Sequence, residues 1–389
     1  MQFAGFRKCA GLAIVLAAAL PMMAQSSDAG VFDANQPGWA HPPIVVVRTN
    51  ATPDISGYTP AQIRTAYGLT SLTNQGAGQT IALVDAYDNP DAESDLATFT
   101  AQYSLPSCTT ANGCFKVIYA AGTKPPANSG WAGESSLDIE WSYAVAPQAH
   151  IILVEASSSS NAALLQAVDV AVQNGATVVS MSYGGSEYST EGNDDTHYNV
   201  PGVTFCASSG DSGHGAQNPA SSPYIVAVGG TTLKLNTNNT WKSETAWNGS
   251  GGGTSKYEAE PSYQTGVQTT GKRGIPDVAW DANPSTGVAV YSKYGFGGWA
   301  EVGGTSVSSP SWAGVFAIAN SSRKAASKSN LTLPQNLLYP DAEADYHDIT
   351  SGTNGTCSSQ CKAKVGYDYI TGVGSPKANL LVPALVAAP

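Results

Sequence analysis

The strongest constraint on the fold is the alternation of short apolar runs with longer helix-like segments in the first half of the chain. The apolar runs are rich in Val, Ile and Ala and cover residues 80–84, 115–119, 151–155, 177–181, 203–207 and 225–228. Helix-like segments separate them: one carries Leu96 and Phe99 on its inner side, and the next two cover residues 134–143 and 162–172. Continuous apolar strands that alternate with helices are typical of a mainly parallel sheet with helices on both faces. The sequence therefore predicts an α/β fold, and no repeat or charged linker divides it.

The N-terminus has the features of a secretory signal peptide. Arg7 and Lys8 precede an apolar run at residues 11–20, and Ala24 precedes the polar Gln25. The run is shorter than the roughly 20 residues that cross a bilayer. We therefore predict a signal peptide at residues 1–24, a short leader rich in Pro, Asn and Ser at residues 25–54, and one main domain at residues 55–389. The expected product is secreted or extracellular, with the periplasm as the alternative, and is not held in a membrane after cleavage.

The charge balance narrows the possible partners. Charged residues make up only 12% of the chain and the net charge is −11. An acidic surface of this kind argues against binding to nucleic acid or to anionic membranes. It suits a protein that stays folded in acid, although an ordinary acidic secreted protein has the same charge. We expect a monomer.

The cysteines indicate an oxidising compartment. Cys108 and Cys114 are six residues apart, Cys357 and Cys361 are four apart, and both pairs lie in polar turns. Each pair predicts a small local disulfide loop. Cys206 lies in an apolar run and is expected to be a buried thiol.

Ser306 is the first candidate for chemistry. It follows Gly303, Gly304 and Thr305, and apolar residues with helical spacing begin at Trp312. Pro310 is expected in the first turn of that helix, where its missing N–H has little effect. A serine at a helix N-terminus is either a nucleophile beside backbone donors or only an N-cap, and this stretch alone does not decide between them.

A serine nucleophile requires a base, and the histidines offer no clear one. None of them lies in a His-Gly-Thr segment of the subtilisin type; they are His41, His150, His197, His214 and His347. A Ser-His-Asp triad stays open because triads are defined by geometry.

Two carboxylates form a better candidate. Glu134 and Asp138 are four residues apart, so a helix would place them on the same face. Such a pair is normally exposed to solvent because like charges repel, but Trp131, Leu137 and Trp141 make this segment apolar. If both carboxyl groups are buried, they share a proton and one pKa rises, so the pair could deprotonate Ser306.

Asp211 is the third candidate. It lies in Ser209-Gly210-Asp211-Ser212-Gly213, directly after the strand-like run at residues 203–207. The segment could be an ordinary turn. However, the carboxyl ends of parallel strands are where such sheets hold their sites, and a protonated aspartate there could donate a hydrogen bond to an oxyanion.

Together, these segments resemble the sedolisins, the serine-carboxyl peptidases that share the subtilisin fold but use Ser-Glu-Asp. The resemblance runs from about residue 55 to the C-terminus and includes residues 276–278 and 287–291. It implies that Ser306 is the nucleophile, Glu134 the general base and Asp138 its supporting acid. It also implies that Asp211 is the oxyanion acid and that Asp85 is a supporting acid, where the family usually has glutamate.

The resemblance also implies one structural calcium ion. The matching segments are 348–350, 366–368 and 371–374. Carboxylate oxygens of Asp348 and Asp368 and the carbonyl groups of Ile349, Lys364 and Gly366 would be the ligands, which suits a hard cation. The family usually has glycine in place of Lys364, and a turn rich in Asp and Gly is the alternative.

Two further departures from the family concern activation and substrate contacts. Only residues 25–54 separate the predicted signal from the catalytic region, where the family usually has a large prosegment. Tyr183 replaces a tryptophan often found near the substrate.

The expected function is that of a secreted serine-type endopeptidase. It would hydrolyse proteins or peptides at acidic pH through an acyl-enzyme intermediate. A histidine-dependent subtilisin-like hydrolase and a non-catalytic secreted binding protein on the same scaffold are the alternatives.

Overall fold

The structure is a computed structural model that describes residues 1–2, 38–42, 44–50, 55–339 and 342–389. The chain divides into two units, Met1–Asp33 and Ala34–Pro389, and everything below concerns the second. The predicted signal peptide at residues 1–24 lies outside the described residues apart from its first two.

Fifteen strands are present in the described part of the chain. In chain order they are β1 (Val45–Asn50), β2 (Thr80–Ala86), β3 (Phe115–Tyr119), β4 (His150–Ala156), β5 (Val178–Met181), β6 (Thr204–Ser208), β7 (Val226–Leu235), β8 (Trp241–Ala246), β9 (Gly253–Ala259), β10 (Lys272–Ile275), β11 (Val278–Asp281), β12 (Val288–Ser292), β13 (Gly298–Gly303), β14 (Tyr346–His347) and β15 (Ser375–Pro376).

The helices cover both faces of the main sheet. In chain order they are α1 (Pro60–Ala66), α2 (Ala92–Gln102), α3 (Ser129–Val145), α4 (Asn161–Gln173), α5 (Asp195–Tyr198), α6 (Lys293–Phe296), α7 (Thr305–Ala325), α8 (Gln335–Leu338), α9 (Ala342–Asp345) and α10 (Ala378–Ala387).

The main sheet has the strand order β11-β7-β6-β5-β2-β4-β3, and all of these neighbours are parallel. Only β8 pairs antiparallel, as a hairpin partner of β7. Smaller antiparallel sheets are formed by β1-β13-β12, by β9-β10 and by β14-β15. The predicted α/β architecture with a mainly parallel sheet is therefore confirmed.

Alternation along β2 shows how the sheet separates two cores. Ile81 and Leu83 pack in the core with α3 and α7, whereas Ala82 and Val84 pack in the core with α4 on the opposite face. All four side chains are fully buried. This is why the strand is apolar throughout rather than alternating with polar residues.

Local predictions hold with small shifts in the element bounds. The predicted helix at residues 134–143 begins earlier, at Ser129, because the Asn128 side chain caps it by accepting a hydrogen bond from the Trp131 N–H. The disulfides Cys108–Cys114 and Cys357–Cys361 are formed, and Cys206 is a buried free thiol on β6.

One predicted surface segment is partly buried. Residues 236–253 were expected to be hairpins and loops, and β8 forms such a hairpin, but residues 250–253 lie inside the protein. A Cβ atom at Gly251 would lie 2.0 Å from the Ser209 carbonyl oxygen, and one at Gly252 would lie 1.9 Å from the Tyr369 carbonyl oxygen. The glycines in this segment therefore permit close backbone packing as well as turns.

No helix in the described ranges is both long enough and apolar enough to cross a membrane.

Candidate active site

Ser306 is the second residue of α7 and is fully buried. The chain reaches it from β13 through Gly304, whose φ of +112° is open to glycine but strained for other residues. The Gly304 N–H donates to the Ala282 carbonyl oxygen at 2.7 Å, which holds this connection in place. Ser306 is therefore set at the N-terminus of α7, as predicted.

Pro310 was expected in the first turn of this helix, and that expectation is wrong. The helix begins at Thr305, so Pro310 is inside it as the sixth residue. Because proline has no N–H, the Ser306 carbonyl lacks its usual partner four residues along the helix. The Ser182 hydroxyl oxygen lies 3.4 Å from this carbonyl oxygen.

Glu134 and Asp138 lie on α3, and both side chains are fully buried. Glycines bring the two helices close together: a Cβ atom at Gly314 of α7 would lie 2.6 Å from Val145 Cγ1 of α3. The solvent-exposed alternative for the acidic pair is therefore excluded. The pair is inside the protein, where two charges are unfavourable.

Three carboxyl groups interact at this point: Asp85 at the end of β2, Glu134 and Asp138. Burial raises the pKa of Glu134 and of Asp138 well above their ordinary values, and the neighbouring Asp85 adds to both rises. Burial also raises the pKa of Asp85, to about 8. Neither oxygen of Asp85 or of Glu134 has a hydrogen-bond partner among the described residues. Burial and mutual repulsion therefore favour the protonated forms of these three groups in the folded protein.

Two hydroxyl groups distinguish the members of this cluster. The Ser182 hydroxyl donates to Asp138 Oδ1 at 2.7 Å, which lowers the pKa of Asp138 against the effect of burial. The Ser306 hydroxyl also lowers the pKa of Glu134 against the effect of burial, but the two side chains do not form a hydrogen bond by geometry: Ser306 Oγ and both Glu134 oxygens have no such partner among the described residues. The serine predicted as a nucleophile is thus beside the carboxyl group predicted as its base.

Asp211 lies next to the same serine. Its Oδ1 atom accepts from the Thr305 N–H and from the Thr305 hydroxyl, both at 2.8 Å, while its Oδ2 atom is buried and has no hydrogen-bond partner among the residues that the structure describes. Burial raises the pKa of Asp211 to about 7, although the bonds from Thr305 oppose the rise. A carboxyl group that is neutral below this pH has a proton to donate.

The histidines are engaged elsewhere in the described part of the chain. His150 contacts the Gly113 carbonyl, His197 pairs with Asp169 at 2.7 Å, and His347 stacks on Trp241. His214 donates its backbone N–H to Asn354, and His41 pairs through its backbone with Gly184. No hydrogen bond joins any of these side chains to Ser306 in the described ranges.

The predicted calcium ligands lie together in the C-terminal region. Asp348 Oδ2 accepts from the Gly366 N–H at 3.0 Å, and Asp368 Oδ2 accepts from the Lys364 N–H at 3.2 Å. The neighbouring Ile349 is buried. Lys364 is not among the residues with a positive φ, so glycine is not needed there. Within the described part of the chain, Asp348 Oδ1 is buried without a hydrogen-bond partner, which fits a carboxylate oxygen directed at a cation.

Three residues beside the site were not singled out by sequence reasoning as parts of it. They are Ser182, the donor to Asp138; Thr305, which orients Asp211; and Glu155, which is opposite Asp85 in the β2–β4 register. Burial raises the pKa of Glu155 to about 8. An acidic residue at the end of an apolar strand was the available signal for Glu155. The other two contacts join segments far apart in sequence and left no signal.

Comparisons with known proteins agree with this geometry. A profile of the subtilase family matches residues 120–345. Sedolisin from Pseudomonas sp. (strain 101) is 29% identical over 384 residues, covering 86% of this chain and 63% of that relative. Kumamolisin from Bacillus sp. (strain MN-32) is 32% identical over 369 residues, covering 85% of this chain and 64% of that relative. The chain thus spans a little under two thirds of the length of each.

A solved structure supports the same assignment. Pseudomonas sedolisin, a serine-carboxyl proteinase in complex with two molecules of pseudo-iodotyrostatin, superposes with a TM-score of 0.74 at 28% identity. The match covers 85% of this chain and 98% of that chain. By its fold, its family profile and its relatives, the chain belongs to the subtilase family and, within it, to the sedolisins.

Proposed function

We propose that this protein is a secreted serine-type endopeptidase that hydrolyses proteins or peptides in acid. The observation that carries the proposal is the fully buried pair Glu134 and Asp138 on α3, beside Ser306 at the start of α7. A buried carboxyl pair replaces the histidine of an ordinary serine peptidase as the group that exchanges a proton with the nucleophile. The relatives named sedolisin and kumamolisin support this reading.

The proposed reaction has two steps. Glu134 takes the Ser306 proton while the Ser306 Oγ atom bonds to the scissile carbonyl carbon. The proton then passes to the leaving nitrogen as the C–N bond breaks, which leaves an acyl-enzyme. Water releases the acyl group by the reverse proton transfers. Asp138 would hold Glu134 through shared protons, and protonated Asp211 would donate to the oxyanion.

The proposed pH dependence follows from these protonation states. Asp211 has to be protonated, and its pKa is raised to about 7 by burial, so activity should fall as the pH rises through this value. Glu134 has to be ionised when it acts; burial raises its pKa well above the ordinary value and the Ser306 hydroxyl opposes this rise, so ionisation of Glu134 should set the acidic limb of the profile. A bell-shaped profile on the acidic side of neutrality is expected.

The decisive experiment is cleavage of a peptide library across about pH 2–8, a span that brackets carboxyl titration. Replacing the nucleophile or its base is expected to lower kcat by about 10⁴-fold or more. The variants are Ser306→Ala and Glu134→Gln, and His197→Ala is the control because that side chain pairs with Asp169 instead. Cleavage that is best above about pH 8 would contradict the mechanism.

The alternatives give different results in the same assay. A histidine-dependent hydrolase would keep its activity in Glu134→Gln and lose it when one histidine is replaced. A non-catalytic binding protein would show no turnover that depends on Ser306 at any pH.

We also propose a structural calcium site formed by Asp348, Asp368 and the carbonyl groups of Ile349, Lys364 and Gly366. When bound, calcium would supply charge neutralisation for the two carboxylates and would tie the segment at residues 348–350 to that at residues 364–368. The Asp348 Oδ1 atom, buried and without a hydrogen-bond partner in the described ranges, supports the proposal.

Titration calorimetry with Ca²⁺ tests this site. We expect saturable binding in the Ser306→Ala protein, a fall in Tm on adding a chelator, and loss of both effects in Asp348→Asn. Equal heats from the parent and from Asp348→Asn would contradict the assignment.

Export, the domain limits and the partners are also proposals. Residues 1–24 would be removed as a signal peptide, residues 25–54 would precede the catalytic domain at residues 55–389, and the mature protein would be monomeric and free of nucleic acid and membrane. N-terminal sequencing of the secreted protein tests the cleavage point, and light scattering tests the oligomeric state.

A further inference from the structure

Glu155 forms a buried carboxyl pair with Asp85 across two neighbouring strands of the main sheet. The two residues lie opposite each other in the parallel β2–β4 register, and each is only 1% exposed. Neighbouring strands are about 5 Å apart, so side chains that share a register position and a face meet. The register therefore places the two carboxyl groups within reach of each other.

Both side chains lie on the face of the sheet that α3 covers. Leu83 and Leu153, two positions earlier in the two strands, belong to the core on this face. Because side chains alternate along a strand, Asp85 and Glu155 share the face of these two leucines. The acidic pair of α3 packs against this same face of the sheet.

One oxygen of Glu155 is held and the other is not. Its Oε1 atom accepts from the Asn89 N–H at 2.9 Å, and the Asn89 side chain donates to the hydroxyl groups of Ser135 and Ser136 on α3, both at 3.0 Å. In the described ranges, Glu155 Oε2 and both oxygens of Asp85 are buried without a hydrogen-bond partner. A proton between the two acids would give these oxygens a donor, whereas leaving buried acceptors unpaired is unfavourable.

The ionisable groups around the pair offer little positive charge. Lys124 is the one cation among those in the described part of the chain, and it is 55% exposed and bonds to Asp88 at 3.1 Å. The full set is Asp88, Tyr119, Lys124, Glu134, Asp138 and Tyr183. The charge of the pair is therefore suppressed by protonation rather than by a buried ion pair.

The pKa values agree with a coupled pair. Burial raises the pKa of Asp85 and that of Glu155 to about 8, and the charge of Asp85 adds to the rise at Glu155. Burial raises the pKa of Glu134 and of Asp138 most, and the charge of Asp85 adds to both of these rises as well. Glu155 is thereby linked through Asp85 to the carboxyl groups beside the candidate nucleophile.

We propose that Glu155 is a positioning residue that acts through Asp85: the two carboxyl groups hold one proton between them and so set the pH at which Asp85 ionises beside the acidic pair of α3. The effect on cleavage rests on the proposed function, but the shared proton does not. A purely structural role, as the acceptor of the Asn89 N–H, is the alternative. Glu155→Gln separates the two because an amide keeps an acceptor oxygen but does not ionise.

A carbon NMR titration of the Ser306→Ala protein, labelled at its Asp and Glu carboxyl carbons, tests the shared proton without any turnover. The resonance of Asp85 is identified by its loss in Asp85→Asn. In Glu155→Gln we expect the pH midpoint of Asp85 to fall by at least about one pH unit, since the repulsion that raises the last step of a coupled pair is gone. An unchanged Asp85 midpoint would overturn the proposal.

Glu93→Gln is the matched control. Glu93 Oε1 also accepts a backbone N–H, from Thr110 at 2.8 Å, but the side chain is partly exposed on α2. The Asp85 midpoint should be the same in this variant as in the parent. A shift as large as that of Glu155→Gln would overturn the specific pairing of Asp85 with Glu155.

Asp85→Asn provides a second measurement if Glu155→Gln does not fold. Coupling between two groups is reciprocal, so the pH midpoint of Glu155, assigned through its own backbone, should also fall by at least about one pH unit in Asp85→Asn. An unchanged Glu155 midpoint would count against the shared proton.

The pH profile of kcat measures the consequence for cleavage. The background is Asp211→Asn, in which residue 211 no longer titrates. Glu155→Gln should move the remaining alkaline limb to lower pH by at least about one pH unit with little change in KM, and it should change nothing further once Asp85→Asn is present. A shift that persists with Asp85→Asn would show that Glu155 does not act through Asp85. No turnover in any variant, together with the NMR shift, would contradict the proposed function and support the shared proton.

Discussion

At the scale of single residues, the distinctive feature is a set of carboxyl groups buried without cationic partners. Asp85, Glu134 and Asp138 are at most 1% exposed. In the part of the chain that the structure describes, none of the three forms an ion pair. Such groups stay protonated to an unusually high pH because burial penalises their charged form. By contrast, Asp277, equally buried, pairs with Arg273 at 2.6 Å.

Asp211 gives a prediction at this scale. Asp211→Ala removes a proposed oxyanion donor and should lower kcat by about 10²–10³-fold with little change in KM. Asp211→Asn keeps an N–H donor and can keep the bond from Thr305, so its loss of kcat should be smaller. Because an amide does not titrate, the fall in activity near pH 7 that Asp211 causes should also be absent from this variant. Steady-state kinetics from pH 3 to pH 8 would measure both. Equal losses in the two variants would rule out a donor role.

At the scale of elements, the site depends on how closely α3 and α7 approach. The acidic pair is on α3 and the serine is on α7. Gly314 makes the approach possible, because the nearest atoms to a Cβ there belong to Val145 and to the Ser142 carbonyl. Small residues at a helix crossing thus set the position of the proposed nucleophile against its base.

Gly314→Ala tests this dependence. The added methyl group has to push the helices apart, which should lower the free energy of unfolding by about 1–3 kcal/mol. It should also lower kcat by a larger factor than KM changes, since a shift of about 1 Å at a site can reduce the rate about 10²-fold.

The matched control is Gly130→Ala in the exposed first turn of α3, which should be neutral or stabilising. Denaturant unfolding at fixed pH and steady-state kinetics measure both effects. Full activity in a destabilised Gly314→Ala protein would show that the helix spacing does not set the site.

At the scale of the whole molecule, several buried carboxyl groups have raised pKa values. Burial raises the pKa of Asp95 to about 6, of Asp211 to about 7 and of Asp85 and Glu155 to about 8. In the unfolded chain these groups titrate near pH 4. Between about pH 4 and pH 8, the folded protein therefore binds more protons than the unfolded chain, and its stability falls as the pH rises.

Stability measurements should show this directly. The contribution of these groups to the free energy of unfolding is fully present below about pH 4, declines above it, and is lost once the pH passes about 8. Thermal unfolding of the Ser306→Ala protein, which avoids self-digestion, should give a Tm that falls from pH 4 to pH 8. Asp85→Asn should flatten the slope because an amide does not ionise. A Tm that rises over this range would contradict the assignment.

Much of the fold could be predicted from residue patterns, because those features depend on short-range order along the chain. Strand–helix alternation predicted the sheet, since apolar runs of strand length with helices between them bury both faces of a parallel sheet. Local spacing likewise predicted the helix that carries Glu134 and Asp138, and both disulfides. Pro310 lies in the second turn of α7 instead of the first, because the start of α7 is set by Gly304 and its bond to Ala282, a tertiary contact.

The sequence by itself determined the fold class, the helical position of the acidic pair and the family. Only the tertiary structure decided that this pair is buried beside Ser306 and that Thr305 orients Asp211. The reason is physical: periodicity records which residues face a core, whereas the pKa of a carboxyl group depends on neighbours from distant parts of the chain.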